Sequence, residues 1–514
     1  MKELLIKRSL VLFFFIALLL IGLNVFKDYG VHYDEYINQS FGNQNLQCII
    51  NVGKYHSLSQ TGPLAQQNHY LIHGPLIETL LSTLQRSLNL ACSREILFMR
   101  HLGCFLIFFL GVIFFYLLGN IYFHNWKLSL IGCLFLVLSP RIFANAFYDT
   151  VDVPFLSFYI MSMYTLLRLV RHKTVLNLLF HTLACAFLIT TRQVGLIMPA
   201  ITFLPFFLDM FKYPAFKTKI KTAIQFSFYM AVLMILTIIF WPILWCHPYF
   251  NFKNVLNAIF HLYNPITVLY LGQWMPREDV PWHYTLVWIL ITTPLLYCFY
   301  FLIGFVISIK LILKNSSGII RRNSILMMLC FLAPLVLSKG KVYDGWRVLF
   351  FIYPAFLIFS LAGLSALWQS KLRALILVLT ILTLISTGYD MVKNHPFENV
   401  YFNGLAGKDM QEVKTRFDLD YWGLSYKQGL EYILKTDKDK IILVATDPDT
   451  PYIQNNLNIL PDRDKERLRE VPLEEATYFL TNYRGHPQEY PYPEYYSIKI
   501  GDAKIMGVYK LLKT

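Results

Sequence analysis

Charge is scarce in this chain. Only 15% of its 514 residues are Asp, Glu, Lys or Arg, against about 25% in soluble domains. Hydrophobic residues make up 56% and aromatic ones 16%. A soluble enzyme has too little interior to hide that much apolar surface, and a disordered chain would not carry it. Cysteine is sparse as well. There are eight, none in a C-x-x-C pair, so a small disulfide scaffold and a structural zinc site do not fit. No Walker loop, G-x-G-x-x-G, G-x-S-x-G or H-E-x-x-H motif is present, which argues against nucleotide-driven transport and serine hydrolysis. Internal repeats and low-complexity tracts are missing too.

What the chain does have is long apolar runs. Lys2, Lys7 and Arg8 precede one from Ser9 to Phe26. It is too long for the core of a signal peptide and no A-x-A-like cleavage site follows, so it reads as a first transmembrane helix with its N-terminus inside. Further runs of membrane-spanning length lie near 101–123, 128–147, 153–170, 174–191, 194–211, 223–245, 285–309, 324–338, 348–368 and 374–390, about eleven spans in all. Basic clusters follow every second span, such as Lys217, Lys219 and Lys221, or Arg321 and Arg322. That is positive-inside patterning rather than a nucleic-acid surface. An odd number of spans puts the C-terminus outside, together with segments 27–100, 148–152, 246–284 and 338–347. From residue 391 onward 17 Lys and Arg face 19 Asp and Glu, and the composition becomes that of a soluble domain. There Ile441–Ala445, Ala476–Asn482 and Ile505–Leu511 read as strands and Leu424–Leu434 as a helix. The expected fold is a polytopic α-helical membrane module, 1–390, carrying a small extracytoplasmic α/β domain, 391–514.

Candidate chemistry gathers in the outer segments. Asp34 and Glu35 follow the first span, where a carboxylate at the membrane edge is placed to act as a base on a lipid-borne substrate. Asp149 and Asp152 lie between two spans; capping of the next helix explains one of them but not both. Together the four form an acidic cluster suited to an acceptor or to a divalent ion. Arg192 interrupts an apolar stretch, where a guanidinium is costly unless it meets an anion such as phosphate. Lys341, Tyr343, Asp344, Trp346 and Arg347 form a basic, aromatic loop suited to a phosphate and a sugar ring. His69 and His73 have helical H-x-x-x-H spacing, but Gly74-Pro75 ends any helix there; His73 and His283 are candidate substrate contacts. Cys48 and Cys92 share the first outer segment and are placed to pair in an oxidising compartment.

As a set these residues resemble the GT-C membrane glycosyltransferases. Asp34-Glu35 is similar to their first-loop acidic motif and Asp149-Thr-Val-Asp152-Val-Pro to their second. Pro281-Trp-His283-Tyr with Ile291-Thr-Thr-Pro294, Tyr343-Asp-Gly-Trp-Arg347, His395-Pro396 with Tyr401-Phe-Asn403, and Asp420-Tyr-Trp-Gly423 resemble blocks of bacterial phospholipid-carrier-dependent glycosyltransferases. The protein O-mannosyltransferases (glycosyltransferase family thirty-nine) and the lipid A aminoarabinose transferases are the nearest groups. The C-terminal domain departs from the O-mannosyltransferases, and their lumenal sugar-binding insert is absent. The resemblance implies a multi-pass protein of the bacterial inner membrane. It would transfer a hexosyl or pentosyl unit, with inversion, from a polyprenyl-phosphate donor to a glycolipid, glycan or protein acceptor. In that reading Asp34 is the general base, Glu35, Asp149 and Asp152 orient the acceptor or hold an ion, and Arg192, Arg347 and Lys341 steady the phosphate. A ligase or polymerase acting on a lipid-linked glycan, or a lipid-linked sugar flippase, are the alternatives; a flippase would place its charges nearer mid-bilayer.

Overall fold

The computed structural model describes residues 2–51, 73–212, 216–245, 247–261, 266–314, 318–338, 342–447 and 452–511. Among these, nine helices are long and apolar enough to cross a membrane. They are Leu5–Val25, Ser93–Phe123, Asp152–Arg171, Gln193–Phe211, Phe216–Phe240, Leu295–Leu313, Gly318–Leu337, Arg347–Trp368 and Arg373–Asn394. The run expected as one span at 128–147 is two helices, Trp126–Val137 and Pro140–Tyr148, bent by 68°. Pro140 opens the second of them, and its ring cannot continue the preceding helix. An eleventh apolar run, Val175–Thr191, is helical but falls just short of the spanning length. The run at 285–309 is likewise two helices, Tyr284–Thr292 and Leu295–Leu313, divided at Pro294.

Burial ranks these helices. Asp152–Arg171 and Arg347–Trp368 are each 83% buried over their apolar windows, whereas Leu5–Val25 is 11% buried. The first two form the centre of the bundle and the last is a lipid-facing stave. Both central helices begin with a charged residue, so Asp152 and Arg347 stand at one end of the core.

Close backbone approach fixes part of that core. Helix Leu295–Leu313 crosses Tyr353–Trp368 at Gly304 and Gly363. A Cβ on Gly363 would lie 2.0 Å from the Tyr300 carbonyl oxygen, and one on Gly304 would lie 1.8 Å from that of Phe359. Small residues at such seams replace the hydrophobic drive that lipid does not supply. Gly363→Val is expected to cost at least the ~1–3 kcal/mol of an overpacked core, because the obstruction is backbone and cannot rotate away. Folded yield and melting temperature in detergent measure this. Leu302→Val on the partner helix Leu295–Leu313, at a side chain 63% exposed, should leave both unchanged.

After Arg373–Asn394 the chain leaves the bundle and folds against its end. β3 (Ile442–Thr446) pairs in parallel with β4 (Leu468–Glu470) and β5 (Tyr478–Thr481), and β7 (Ala503–Lys510) joins β5 to β6 (Glu494–Ile500) by antiparallel pairs. The sheet order is β4-β3-β5-β7-β6. β4 and β6 were not legible as strands, and neither was a separate hairpin of β1 (Thr267–Tyr270) and β2 (Gln273–Pro276). Helix Tyr426–Thr436 buries Tyr426, Leu430 and Ile433 against the sheet.

This C-terminal unit holds the segment that follows the first helix. Lys427 Nζ donates to the carbonyls of Lys27, Asp28 and Tyr29 at 2.5, 3.0 and 3.4 Å. The Val31 N–H donates to Asn456 Oδ1 at 3.0 Å. Gly30 lies so close to the Leu424 carbonyl that a Cβ would stand 2.1 Å from its oxygen. Residues 27–31, just ahead of Asp34, are therefore positioned across the fold. No disulfide joins Cys48 to Cys92 among the described residues, which differs from the expected pairing.

Candidate active site

Asp34 and Glu35 point to different tasks. Asp34 occupies the N-cap position of helix Glu35–Ile50 but makes no side-chain cap. It is partly exposed. Burial pushes its carboxyl from the ordinary value up to about 6, opposed by Arg347 and reinforced by Asp149 and Asp344. Glu35 is buried, with 1% exposure. Its Oε1 accepts the His32 N–H at 2.9 Å, and Oε2 lies 3.2 Å from His101 Nε2. A carboxylate so enclosed tethers helix Glu35–Ile50 to helix Ser93–Phe123; this differs from the expected contact with acceptor or ion.

The second acidic loop meets both arginines. Asp149 Oδ1 accepts the N–H groups of Val151 and Asp152 at 3.1 and 2.8 Å, so it caps the central helix Asp152–Arg171. Its other oxygen lies 3.3 Å from Arg347 Nη1. Asp152 is held from two sides: Arg347 Nη1 donates to Oδ2 at 2.7 Å, and Arg192 Nη1 pairs with Oδ1. Arg192 and Arg347 thus converge on one anion, and that anion is Asp152. Arg347 Nε also donates to Asp344 Oδ2 at 2.8 Å. Asp344 and Gly345 both have positive φ, +52° and +62°, a tight turn that aims Asp344 back at Arg347 and at Trp422 Nε1.

The remaining expected residues are placed as follows. Tyr343 lies close enough to Asp34, Arg192 and Arg347 for their charges to act on its phenol. Trp346 is buried and donates from Nε1 to Thr292 Oγ1 at 2.9 Å; it anchors the loop to helix Tyr284–Thr292. His73 pairs in an isolated bridge with Arg192, in extended backbone rather than on a helix. His69 and Lys341 lie outside the described residues. His283 Nδ1 is 2.8 Å from the Tyr270 hydroxyl, at the hairpin rather than in the cleft.

The cleft itself is narrow, with room for about 20 Å³. Arg141, Tyr148, Asp344, Arg347, Tyr421 and Trp422 line it. Four of these, Arg141, Tyr148, Tyr421 and Trp422, carried no assignment from sequence. Trp422 packs tilted by 31° against His32 with ring centroids 4.0 Å apart and lies under the Arg347 guanidinium at 4.7 Å. His32 is buried, and burial, then Arg347 and His101, hold it neutral. Its Nδ1 accepts the Asp34 N–H at 3.1 Å, so its proton sits on Nε2, which has no partner among the described residues. Arg141 lies over the rings of Trp288 and Phe402 and donates from Nε to the Tyr401 carbonyl at 3.0 Å. Its Nη2 is buried without a partner, and no carboxylate pairs with it among the described residues. The only sequence signal for Arg141 was Pro140 breaking an apolar run one residue before it.

The donor set does not fit a divalent ion. Asp149 and Asp152 are already neutralised by Arg347 and Arg192, and no group of three or more His, Cys, Asp or Glu side chains converges among the described residues.

Fold and site together define a polytopic helical membrane protein with an ion-paired polar cleft at one end of its bundle, closed over by a C-terminal α/β unit. No protein-family model matches the chain, and no curated protein matches it. Among solved structures it is similar to ArnT from Cupriavidus metallidurans bound to undecaprenyl phosphate, at 11% identity and a TM-score of 0.48, covering 97% of this chain and 97% of that one. The apo state of ArnT gives 10% identity, a TM-score of 0.49 and coverage of 99% and 98%. The apo oligosaccharyltransferase of Archaeoglobus fulgidus gives 11% and 0.48 and covers 90% of this chain. This chain spans 65% of that protein's length.

Proposed function

We propose that this protein is a membrane glycosyltransferase that moves a sugar from a polyprenyl-phosphate donor to an acceptor, with Asp34 as general base. The observation that carries the reading is Asp34 itself. It lies within range of the charges of Arg347, Asp149 and Asp344, and it is partly open and not enclosed by a guanidinium pair, while Asp149, Asp152 and Asp344 are held by arginines. A base must be free to receive a proton and must sit near its substrate's hydroxyl or amine. Arg141 lines the cleft beside that ion-paired cluster with an uncommitted N–H, which is the group a departing lipid phosphate requires. Arg192 and Arg347 act in this reading by fixing Asp149 and Asp152, so that the cleft keeps its shape when the phosphate leaves. The displacement is in line: the acceptor oxygen or nitrogen bonds to the anomeric carbon, the bond to the lipid phosphate oxygen breaks, and the acceptor proton passes to Asp34. A chain with its N-terminus inside a bacterial inner membrane would carry this chemistry on the outer face.

Purified protein in detergent, offered a panel of polyprenyl-phosphate hexoses and pentoses, should release polyprenyl phosphate from at least one. No release from any donor, with or without crude envelope acceptors, overturns the proposal. The reaction should also depend on pH in one direction. The base works ionised, so with its carboxyl at about 6 turnover should fall as pH drops through that value and level off above pH 7. A rate flat from pH 5 to pH 7.5 would remove Asp34 from the role.

A further inference from the structure

A second cleft opens beside the first. It is narrow, with room for about 20 Å³, and lies between the β1–β2 hairpin, the segment 414–421 and the C-terminal sheet. Leu419 and Tyr421 line both clefts, so the second continues the first. Its walls carry three cations, Lys414, Arg484 and Lys504.

Two of the three are committed. Lys504 Nζ bridges Glu489 and Glu494 at 2.8 and 2.5 Å. Arg484 lies over the Tyr421 ring at 3.7 Å and bonds to the Tyr421 carbonyl and the Tyr452 hydroxyl. The acidic groups are occupied too: Asp418 accepts the Leu269 N–H, and Asp420 accepts from Leu424 and Ser425. Lys414 differs from all of these. It is 3% exposed, and its Nζ has no hydrogen-bond partner among the described residues. It sits 3.3 Å over the Tyr483 ring, a contact that meets the charge but leaves the N–H donors unused. A buried ammonium without an anion is costly, and burial lowers this one to about 8. An anion entering the cleft would restore what burial removes. At the mouth of the same cleft Trp274 presents an indole 43% exposed, a face on which a sugar ring can lie.

We infer that this second cleft is the acceptor subsite, taking a phosphate or carboxylate group of the acceptor at Lys414 and an adjoining sugar ring on Trp274. The role as acceptor subsite rests on the transferase reading; the anion site does not. The acceptor would then be an acidic glycan or glycolipid.

The test uses the full chain in detergent, pulsed with acetic anhydride and read by peptide mass spectrometry at Lys414. The probes are inorganic phosphate and sodium acetate, each against sodium chloride at equal ionic strength. A bound anion should protect Lys414, approaching roughly tenfold slower labelling when the probe is at ten times its Kd. Exposed Lys408 should label at the same rate throughout. Protection by phosphate alone supports a phosphorylated acceptor, and by acetate alone a carboxylated one; protection by both supports the subsite for either group. Protection by neither, or equal protection of Lys408, overturns it. In the transfer assay Lys414→Met should raise the acceptor KM with little change in kcat, and Lys414→Arg should restore part of the loss. A Lys414→Met variant that melts with the wild type and saturates at the same acceptor concentration also overturns the subsite. The two readings fail separately: unprotected Lys414 removes the subsite even if polyprenyl phosphate is released, and absent release removes the transferase reading even if Lys414 is protected.

Discussion

Asp34→Asn should lower turnover by roughly 10²–10⁴-fold, the usual contribution of a positioned general base, while leaving the fold intact. The substitution is nearly isosteric and the lost carboxylate is partly exposed and makes no cap, so nothing buried is left unpaired. Its backbone N–H still donates to His32. Glu35→Gln is expected to behave in the opposite way. Glu35 is buried between His101 and the His32 backbone, so the change disturbs a buried network at about 1–3 kcal/mol and lowers the melting temperature. Turnover per folded molecule should stay near that of the wild type. Release of polyprenyl phosphate, normalised to folded protein from size-exclusion chromatography, separates the two. Wild-type turnover in Asp34→Asn with a silent but well-folded Glu35→Gln would exchange their roles. Activity in both would place the base elsewhere.

Arg347→Ala should be the most damaging single change at the site. The guanidinium meets Asp149, Asp152 and Asp344 at 3.3, 2.7 and 2.8 Å and is 6% exposed. Removing one partner of a buried pair typically costs about 3–5 kcal/mol, because the charge left behind is uncompensated; here three carboxylates lose their common partner. A large fall in melting temperature and in folded yield is expected. Arg347→Lys retains the charge without the fork, so it can meet one carboxylate but not three, and it should melt between the alanine variant and the wild type. If Arg347→Ala melts with the wild type, the ion-paired cluster does not hold this end of the bundle together.

The two changes act on residues of very different legibility. Asp34 is legible because a carboxylate follows the first apolar run, a local fact. Asp149 and Asp152 were readable in the same way, as acids in a short gap between two runs, and the capping role of Asp149 follows from its place just before a helix. Arg141 was not, because one arginine at a bent helix start carries no local pattern. Glu35 was read together with Asp34 although burial sets them apart, since adjacent residues leave a helix start in different directions.

Hydrophobic run length and basic flanks determined by themselves that the chain is a helical membrane protein with a soluble-type C-terminal unit. Both signals are local: a span must match the bilayer, and each helix satisfies its own backbone. Only the tertiary structure decided that Arg192 and Arg347 share Asp152, from 40 and 195 residues away, and that Lys427 clasps the residues before Asp34 from about 400 residues away. It alone also joined the two clefts through Leu419 and Tyr421. Ion pairs and clefts depend on which ends of which helices are packed side by side. That arrangement is set by the whole core at once, including contacts such as that of Gly304 with Gly363, which no single run of sequence contains.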